Sequence, residues 1–381
     1  MEEKNRNRLL SLSIFGACFA LASCSITKMA KVPAGYKSKV TCSEIFVAGR
    51  DADDVMATNF ADISPAFDWV RLKVNTSEKT VEGRMLGFGR SKAVYREGVG
   101  CSLQGKNTLS IVNIPATKNI ERQLYKVAIN EDVQKATIDL FDDNALPNPI
   151  LTRGVVVIQN GQLIAEYYKA GFDKNTRQQS WSTAKGFIQA LIGIAVRDGH
   201  LSLEDKVSFA EWKGDDPRSE ITIGHLLHMA SGLEFSEAYA NPNSHVDQML
   251  FNQDDMGEYA ASRKLVNTPG AVSQYSSGTT NILSKLLRNQ LESHGVNYHG
   301  FPKNELFDKI GMSSAVFEVD AAGTFIGSSY IYATPRDFAR FGQLYLQKGK
   351  WNGEQVLPID WVEYTQQPAP RSHGKYGSHW S

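Results

Sequence analysis

The sequence predicts an α+β protein in two parts, a small and mainly β module followed by a larger one in which a β-hairpin precedes a series of helices. Three observations carry that prediction. Short stretches between residues 69 and 97 alternate apolar and polar side chains, as half-buried strands do. Asn160-Gly161 lies between "GVVVIQ" and "QLIAEYY", and that dipeptide suits a type I′ turn because both central residues need positive φ. From residue 182 onward, apolar residues recur at helical spacing in successive segments.

At the N-terminus, Lys4, Arg6 and Arg8 precede an apolar run from Leu9 to Ala22. The run is too short to span a bilayer and has the length of a signal-peptide h-region, so residues 1–24 are expected to be a leader. Glu2 and Glu3 are unusual there. The run ends in "LASCS", which resembles the lipobox of bacterial lipoproteins; Cys24 would then carry the lipid and anchor the chain to a membrane. Ser25 behind it, rather than an acidic residue, implies the periplasmic face of the outer membrane. Cleavage after "ALA" (Ala20 to Ala22) would instead release a soluble periplasmic protein. Residues 25–39 read as a tether. With Cys18 lost in the leader and Cys24 modified, Cys42 and Cys101 remain as one pair in an oxidising compartment. They are expected to form a disulfide across 59 residues, worth about 4 kcal/mol. Two unrelated buried thiols are the alternative.

Residues 40–114 read as the β-rich module, with strands at "WVRLKVN" (Trp69 to Asn75), "KTVEGRML" and "SKAVYRE". No chemistry attaches to it; "GFGRSK" (Gly87 to Lys92) lacks the spacing and setting of a phosphate loop. Residues 115–149 read as a connector with one helix, capped by Asn130 and running through "EDVQKATIDLF". "DDNALPNP" breaks the chain before the larger domain, placed at 150–381. In that domain, Gly199 suits the end of the helix that Ser182 opens, and "ITIGHLLHMASGL" is expected to be a short helix capped by Thr222 and closed by Gly232. Formal charge balances, with 41 basic and 41 acidic residues, which argues against nucleic-acid binding.

Ser-x-x-Lys occurs three times, at Ser25–Lys28, Ser182–Lys185 and Ser372–Lys375, so spacing alone assigns nothing. Context separates them. Ser25 lies in the expected tether and Ser372 in the turn-rich "PAPRSHGKYG". Ser182 opens a helix rich in Phe187, Ile188, Leu191, Ile192, Ile194, Ala195 and Val196, a pattern expected of burial on most faces. Residues three apart on a helix lie about 5–6 Å from each other at Cβ, so the Lys185 amine reaches the Ser182 hydroxyl. A lysine of ordinary pKa, about 10.4, is neutral at pH 7 in roughly one molecule in 2,500. Acting as a base requires losing about three units, on the order of 4 kcal/mol, through burial and nearby positive potential. A buried helix N-terminus supplies both. The plainer reading is a capping serine beside a solvated lysine.

Further motifs decide between them. In order, "SWSTAKGF", "ITIGHLLHMASGL", "PGAVSQYSSGTTNIL" and "SSYIYATPRDFARFGQLYLQKGKWNGEQVLP" resemble the serine hydrolases related to class C β-lactamases and penicillin-binding proteins. "MASGLEFSEAY" and "YSSGTT" are most similar to the 6-aminohexanoate-dimer hydrolase and esterase-like branch. The resemblance covers about Thr152 to the C-terminus. It implies a β-lactamase/transpeptidase-like antiparallel sheet with a helical subdomain, and an acyl-enzyme on Ser182 with Lys185 as base partner and Tyr275 as proton shuttle. The substrate would be a small amide, ester or peptide, and no metal or organic cofactor is needed.

Two departures stand out. Ser277 occupies the third position of the family's Tyr-x-Asn, where it and Trp181 are candidate substrate-binding residues; the missing amide counts against true β-lactamase activity. The third motif, Lys-Thr-Gly or His-x-Gly, is expected after a "YG..W" segment. Here "YGSHW" (Tyr376 to Trp380) meets the end of the chain, so the sequence reads as C-terminally truncated, short of sheet strands and half of the oxyanion hole. His373-Gly374-Lys375 precedes that segment and is set aside. His225 and His228 lack a third ligand and read as packing residues rather than a metal site. The rival function is a non-catalytic binding lipoprotein, and a D-amino-acid peptidase acting on cell-wall material is a further alternative.

Overall fold

A computed structural model describes residue 27 and residues 29–60, 63–106, 125–142 and 152–381, and there the chain begins with a helix where a tether was expected. Residues 29–46 form helix α1, most of whose side chains are buried. This corrects the reading of 25–39 as a linker and puts Cys42 on a helix rather than in the β module. The sequence "MAKVPAGYKSKV" looks like linker because of its lysines, proline and glycine. Two of its three lysines are sequestered by partners: Lys37 Nζ donates to the Phe67 carbonyl at 3.1 Å, and Lys39 is paired inside the protein.

Helix α2 (Ala52–Thr58) follows, with the Asp51 side chain accepting from the Asp53 and Asp54 N–H groups. The strands β1 (Val70–Asn75), β2 (Thr80–Met85), β3 (Gly89–Arg96) and β4 (Gly100–Leu103) then form an antiparallel meander, as the alternation predicts. Its inner face lies on α1, where Ala30 and Ala34 pack with Val70 and Met85. The approach is close enough to require glycine. A Cβ at Gly83 would fall 2.6 Å from the Ala34 carbonyl oxygen, and one at Gly89 would fall 2.2 Å from that of Ala30. Cys42 and Cys101 form the expected disulfide, joining α1 to β4. "GFGRSK" is the β2–β3 turn and the start of β3.

Strand β5 (Lys126–Val127) and helix α3 (Glu131–Asp139) come next, with Asn130 Oδ1 accepting from the Val133 N–H as the cap. The expected break at 143–149 lies outside the described residues, as do Cys18, Cys24 and Ser25. Strands β6 (Gly154–Gln159) and β7 (Gln162–Tyr168) form the hairpin, and both turn residues have positive φ, +49° at Asn160 and +74° at Gly161. Strand β8 (Gln178–Gln179) leads into helix α4 (Ala184–Arg197), buried from Ala184 through Ala195. It ends as anticipated at Gly199, where the His200 N–H donates to Ala195 and the Gly199 N–H to Val196.

Around α4 pack α5 (Ile223–Leu227), α6 (His245–Asn252), α7 (Met256–Ala261) and α8 (Ser277–Ser293). Helix α9 (Asp308–Ile310), strands β9 (Val316–Phe317) and β10 (Ile331–Ala333) and helix α10 (Pro335–Leu346) complete the part that positions the site. Strand β10 lies between β8 and β9 in an antiparallel sheet, and Phe341 of α10 stacks on Phe187 of α4 at 3.7 Å. The architecture is α+β, with its sheets antiparallel except where β5 pairs parallel with β7.

A buried ion pair fastens α1 to the larger domain. Lys39 bonds to Glu318, just after β9, while the Ser43 hydroxyl donates to Glu318 at 2.9 Å and the Cys101 N–H donates to it at 2.6 Å. Burial lowers the Lys39 pKa and raises that of Glu318, each effect opposed by the partner's charge.

Candidate active site

The chain enters the site through a single 3₁₀ turn, Trp181–Thr183, that runs directly into α4. Ser180 pins this turn to β10: its N–H donates to the Ile331 carbonyl at 2.8 Å, and its hydroxyl accepts from the Ile331 N–H at 3.0 Å. Trp181 has φ +43°, a left-handed conformation that a bulky residue adopts only when its surroundings hold it. Its indole stacks on Tyr36 of α1, with centroids 6.5 Å apart, and packs against Tyr330 at 5.9 Å. The tryptophan beside the serine is therefore braced by the N-terminal helix. It is 37% exposed and so is not a core residue.

Ser182 and Lys185 meet as their spacing predicts. Lys185 is 1% exposed, and its Nζ donates to Ser182 Oγ at 3.2 Å, to Ser277 Oγ at 3.2 Å and to the Ser328 carbonyl at 3.0 Å. All three partners are neutral. With no opposite charge in contact among the described residues, burial draws the Lys185 pKa down to about 8, opposed by the more distant charge of Glu237. At that value about a tenth of the molecules carry a neutral amine at pH 7.

Tyr275 stands at the mouth, 40% exposed, with its ring 4.8 Å from the Lys185 ammonium and edge-on to Tyr376 at 6.0 Å. Burial raises its pKa and the Ser182 hydroxyl partly offsets this, so at neutral pH it is an un-ionised phenol able to donate. Its loop is fixed from both sides. The Gln274 N–H donates to Met229 and the Ser273 N–H to Pro370, each at 2.9 Å. Ser277, at the start of α8 and fully buried, faces the lysine rather than open solvent. Its placement makes it a support for Lys185.

One participant escaped the sequence. Glu237 accepts from the Ser277 backbone N–H and from Ser277 Oγ at 3.1 Å, and Tyr239 donates to it at 2.9 Å. A connected chain results, from Ser182 through Lys185 and Ser277 to Glu237 and Tyr239. Glu237 lies in "MASGLEFSEAY", a stretch noted for its likeness to a family branch, yet 40 residues separate it from Ser277 and only the fold brings them together. The acidic and phenolic pair two residues apart was the available signal.

Other candidates take structural places. His225 Nδ1 accepts from the Thr222 N–H at 3.2 Å and so completes the cap of α5, and His228 bonds to Gly224 and Tyr364. His379 is buried, with Nδ1–H donating to the Leu227 carbonyl at 2.7 Å and Nε2 accepting from the Thr280 hydroxyl at 2.9 Å. Burial brings its pKa down to about 3, so it stays neutral. Ser372 and Lys375 lie in consecutive turns away from any such cluster.

Comparison with known proteins gives this arrangement a lineage. The family model described as Beta-lactamase matches residues 150–381. The chain belongs to the beta-lactamase family. Within that family it is 25% identical over 227 residues to the 6-aminohexanoate-dimer hydrolase of Paenarthrobacter ureafaciens, a match covering 56% of each chain. The chain thus spans little more than half the length of that relative. Among solved structures it is similar to a putative beta-lactamase from Bacteroides dorei, at TM-score 0.51 and 19% identity over 66% of this chain and 79% of the other. It is also similar to a putative 6-aminohexanoate-dimer hydrolase from Bacillus anthracis, at TM-score 0.47 and 24% identity over 68% of both. The fold implied by the motifs is the fold of the family.

Proposed function

We propose that the protein is a serine hydrolase that cleaves an amide or ester bond through an acyl-enzyme on Ser182. Lys185, or Tyr275 acting with it, takes the Oγ proton as the oxygen attacks the carbonyl carbon. The tetrahedral centre collapses as the Tyr275 phenol delivers a proton to the departing nitrogen or oxygen. Water then repeats the sequence to release the acid and restore Ser182. The observation that carries this reading is the surroundings of Lys185, a buried amine bonded to Ser182 and otherwise to a hydroxyl and a carbonyl. Linear amides are the first substrates to try, because a relative is named for hydrolysing 6-aminohexanoate dimer. A fluorophosphonate probe should label the full-length protein and leave Ser182→Ala unlabelled; equal labelling of both would remove the assignment.

For location we propose the cell envelope, with a lipid on Cys24. The Cys42–Cys101 disulfide supports an oxidising compartment. Incorporation of a labelled fatty acid that disappears in Cys24→Ala is the expected result.

A further inference from the structure

At one end of the N-terminal sheet, large apolar side chains stand in solvent beside a concentration of positive charge. Trp69 is 60% exposed, Leu86 57% and Phe88 60%, and Met29 at the start of α1 is exposed as well. The strand register brings them together. Val70 pairs with Met85, so Trp69 is next to Leu86, while Leu86, Gly87 and Phe88 form the tip of the β2–β3 hairpin. Gly89 abuts Ala30, which places the tip against the first turn of α1. Leu86 adopts φ +48° in this turn, a conformation that Gly or Asn takes without strain.

The adjoining outer face of the sheet is basic. Arg71, Arg84 and Arg90 pair across β1, β2 and β3 in one row, and the next row reads Lys73, Glu82, Lys92. Arg84 and Arg90 are 61% and 66% exposed and share Glu82 between them. Asp68, beside Trp69, is the other acid nearby. Among the described residues of this face, five basic groups against two acids is a local excess in a chain whose net charge is zero. Helix α1 also begins at this end, with Met29 and Ala30 beside the tip.

We infer that this end docks on the surface of an anionic phospholipid bilayer, with Trp69, Leu86 and Phe88 entering the headgroup region and the arginine row bound to lipid phosphates. Tryptophan favours that depth, and arginine and lysine keep their charged heads at the interface while their stems cover apolar surface. The inference does not rest on lipidation or on the enzymatic reading. It gives the N-terminal module a role, holding the hydrolase domain at a fixed height and orientation over the membrane.

Tryptophan quenching tests it, because residues 1–28 contain no tryptophan and leave no signal of their own. The full-length chain would be mixed with vesicles of phosphatidylcholine carrying brominated acyl chains, with or without phosphatidylglycerol. Quenching should appear with the anionic vesicles, weaken by several-fold in W69F and in R71Q/R84Q/R90Q, and fall in roughly 0.5 M salt. Unchanged thermal unfolding of both variants would show that the fold is intact. Equal quenching of W69F and wild type would overturn the proposal, and so would equal quenching by vesicles without phosphatidylglycerol. Absence of quenching combined with concentration-dependent self-association would reassign the tip to a second copy of the chain.

Discussion

Lys39 and Lys185 are each 1% exposed, and burial pushes both toward the neutral form, yet their surroundings assign them opposite work. Lys39 meets Glu318, a carboxylate as deeply buried as itself, and together they join α1, β4 and the segment after β9. Lys185 meets two hydroxyls and a carbonyl, with its nearest influential carboxylate, Glu237, held one hydroxyl away behind Ser277. The difference teaches that burial alone does not make a lysine a base. A partner charge in contact opposes the loss of proton affinity that desolvation causes without cancelling it, and ties the lysine to a structural pair; a lysine whose nearest influential charge lies one shell out keeps its amine free for chemistry.

The largest expected effect comes from removing the base. Lys185→Met should slow acylation of Ser182 by about 10²–10⁴-fold, measured as the rate of probe labelling. The same change should leave the protein equally or more resistant to heat, since it removes a buried amine that opposes folding. The sign follows from the direction of the shift. Below pH 8 both folded and unfolded chains hold the proton, and the penalty, roughly 3 kcal/mol for a fall from 10.5 to about 8, is fully present. Between pH 8 and 10.5 the unfolded state binds more protons, so wild-type stability should gain from this group as pH rises, a gain absent in Lys185→Met. A strongly lowered melting temperature in that variant would break the contrast.

Lys39 should behave in the reverse way. Lys39→Met strands the Glu318 carboxylate, an expected loss of about 3–5 kcal/mol in chemical denaturation, with labelling reduced only as far as the folded fraction falls. Adding Glu318→Leu should recover much of that loss, because two apolar groups need no solvation. Failure of the double variant to recover would mean that the Ser43 and Cys101 contacts to Glu318 matter more than the pair itself. Replacing both Cys42 and Cys101 with serine should cost about 2–4 kcal/mol, read in the same assay.

The smallest effect sharpens the comparison most finely. The Glu237 charge raises the Lys185 pKa. Glu237→Gln should therefore move the midpoint of the pH–labelling profile downward, by roughly one unit, without abolishing the reaction. An upward move would mean that Glu237 acts chiefly by orienting Ser277.

Features governed by local rules are readable in the sequence. Asn160-Gly161 declares its turn, Asn130 and Thr222 declare their caps, and Lys185 lies in the first turn of a helix whose apolar run announces its burial, three residues after Ser182. What escaped depends on long-range neighbours. Helix α1 was read as a tether because its lysines look solvated until Glu318, 279 residues away, is placed beside Lys39. Glu237 was passed over because its role exists only where the loop before α6 meets the start of α8. The disulfide was legible for a different reason, as the pair remaining once the expected leader is set aside.

The most direct test of the central claim is the pH dependence of Ser182 labelling by a neutral fluorophosphonate, compared between wild type and Lys185→Met. The wild-type rate should rise with pH to a plateau with a midpoint near 8, and the variant should lose that titration along with its rate. A wild-type profile flat from about pH 6 to 9, or an unaltered midpoint in Lys185→Met, would show that the buried amine is not the group that activates the serine.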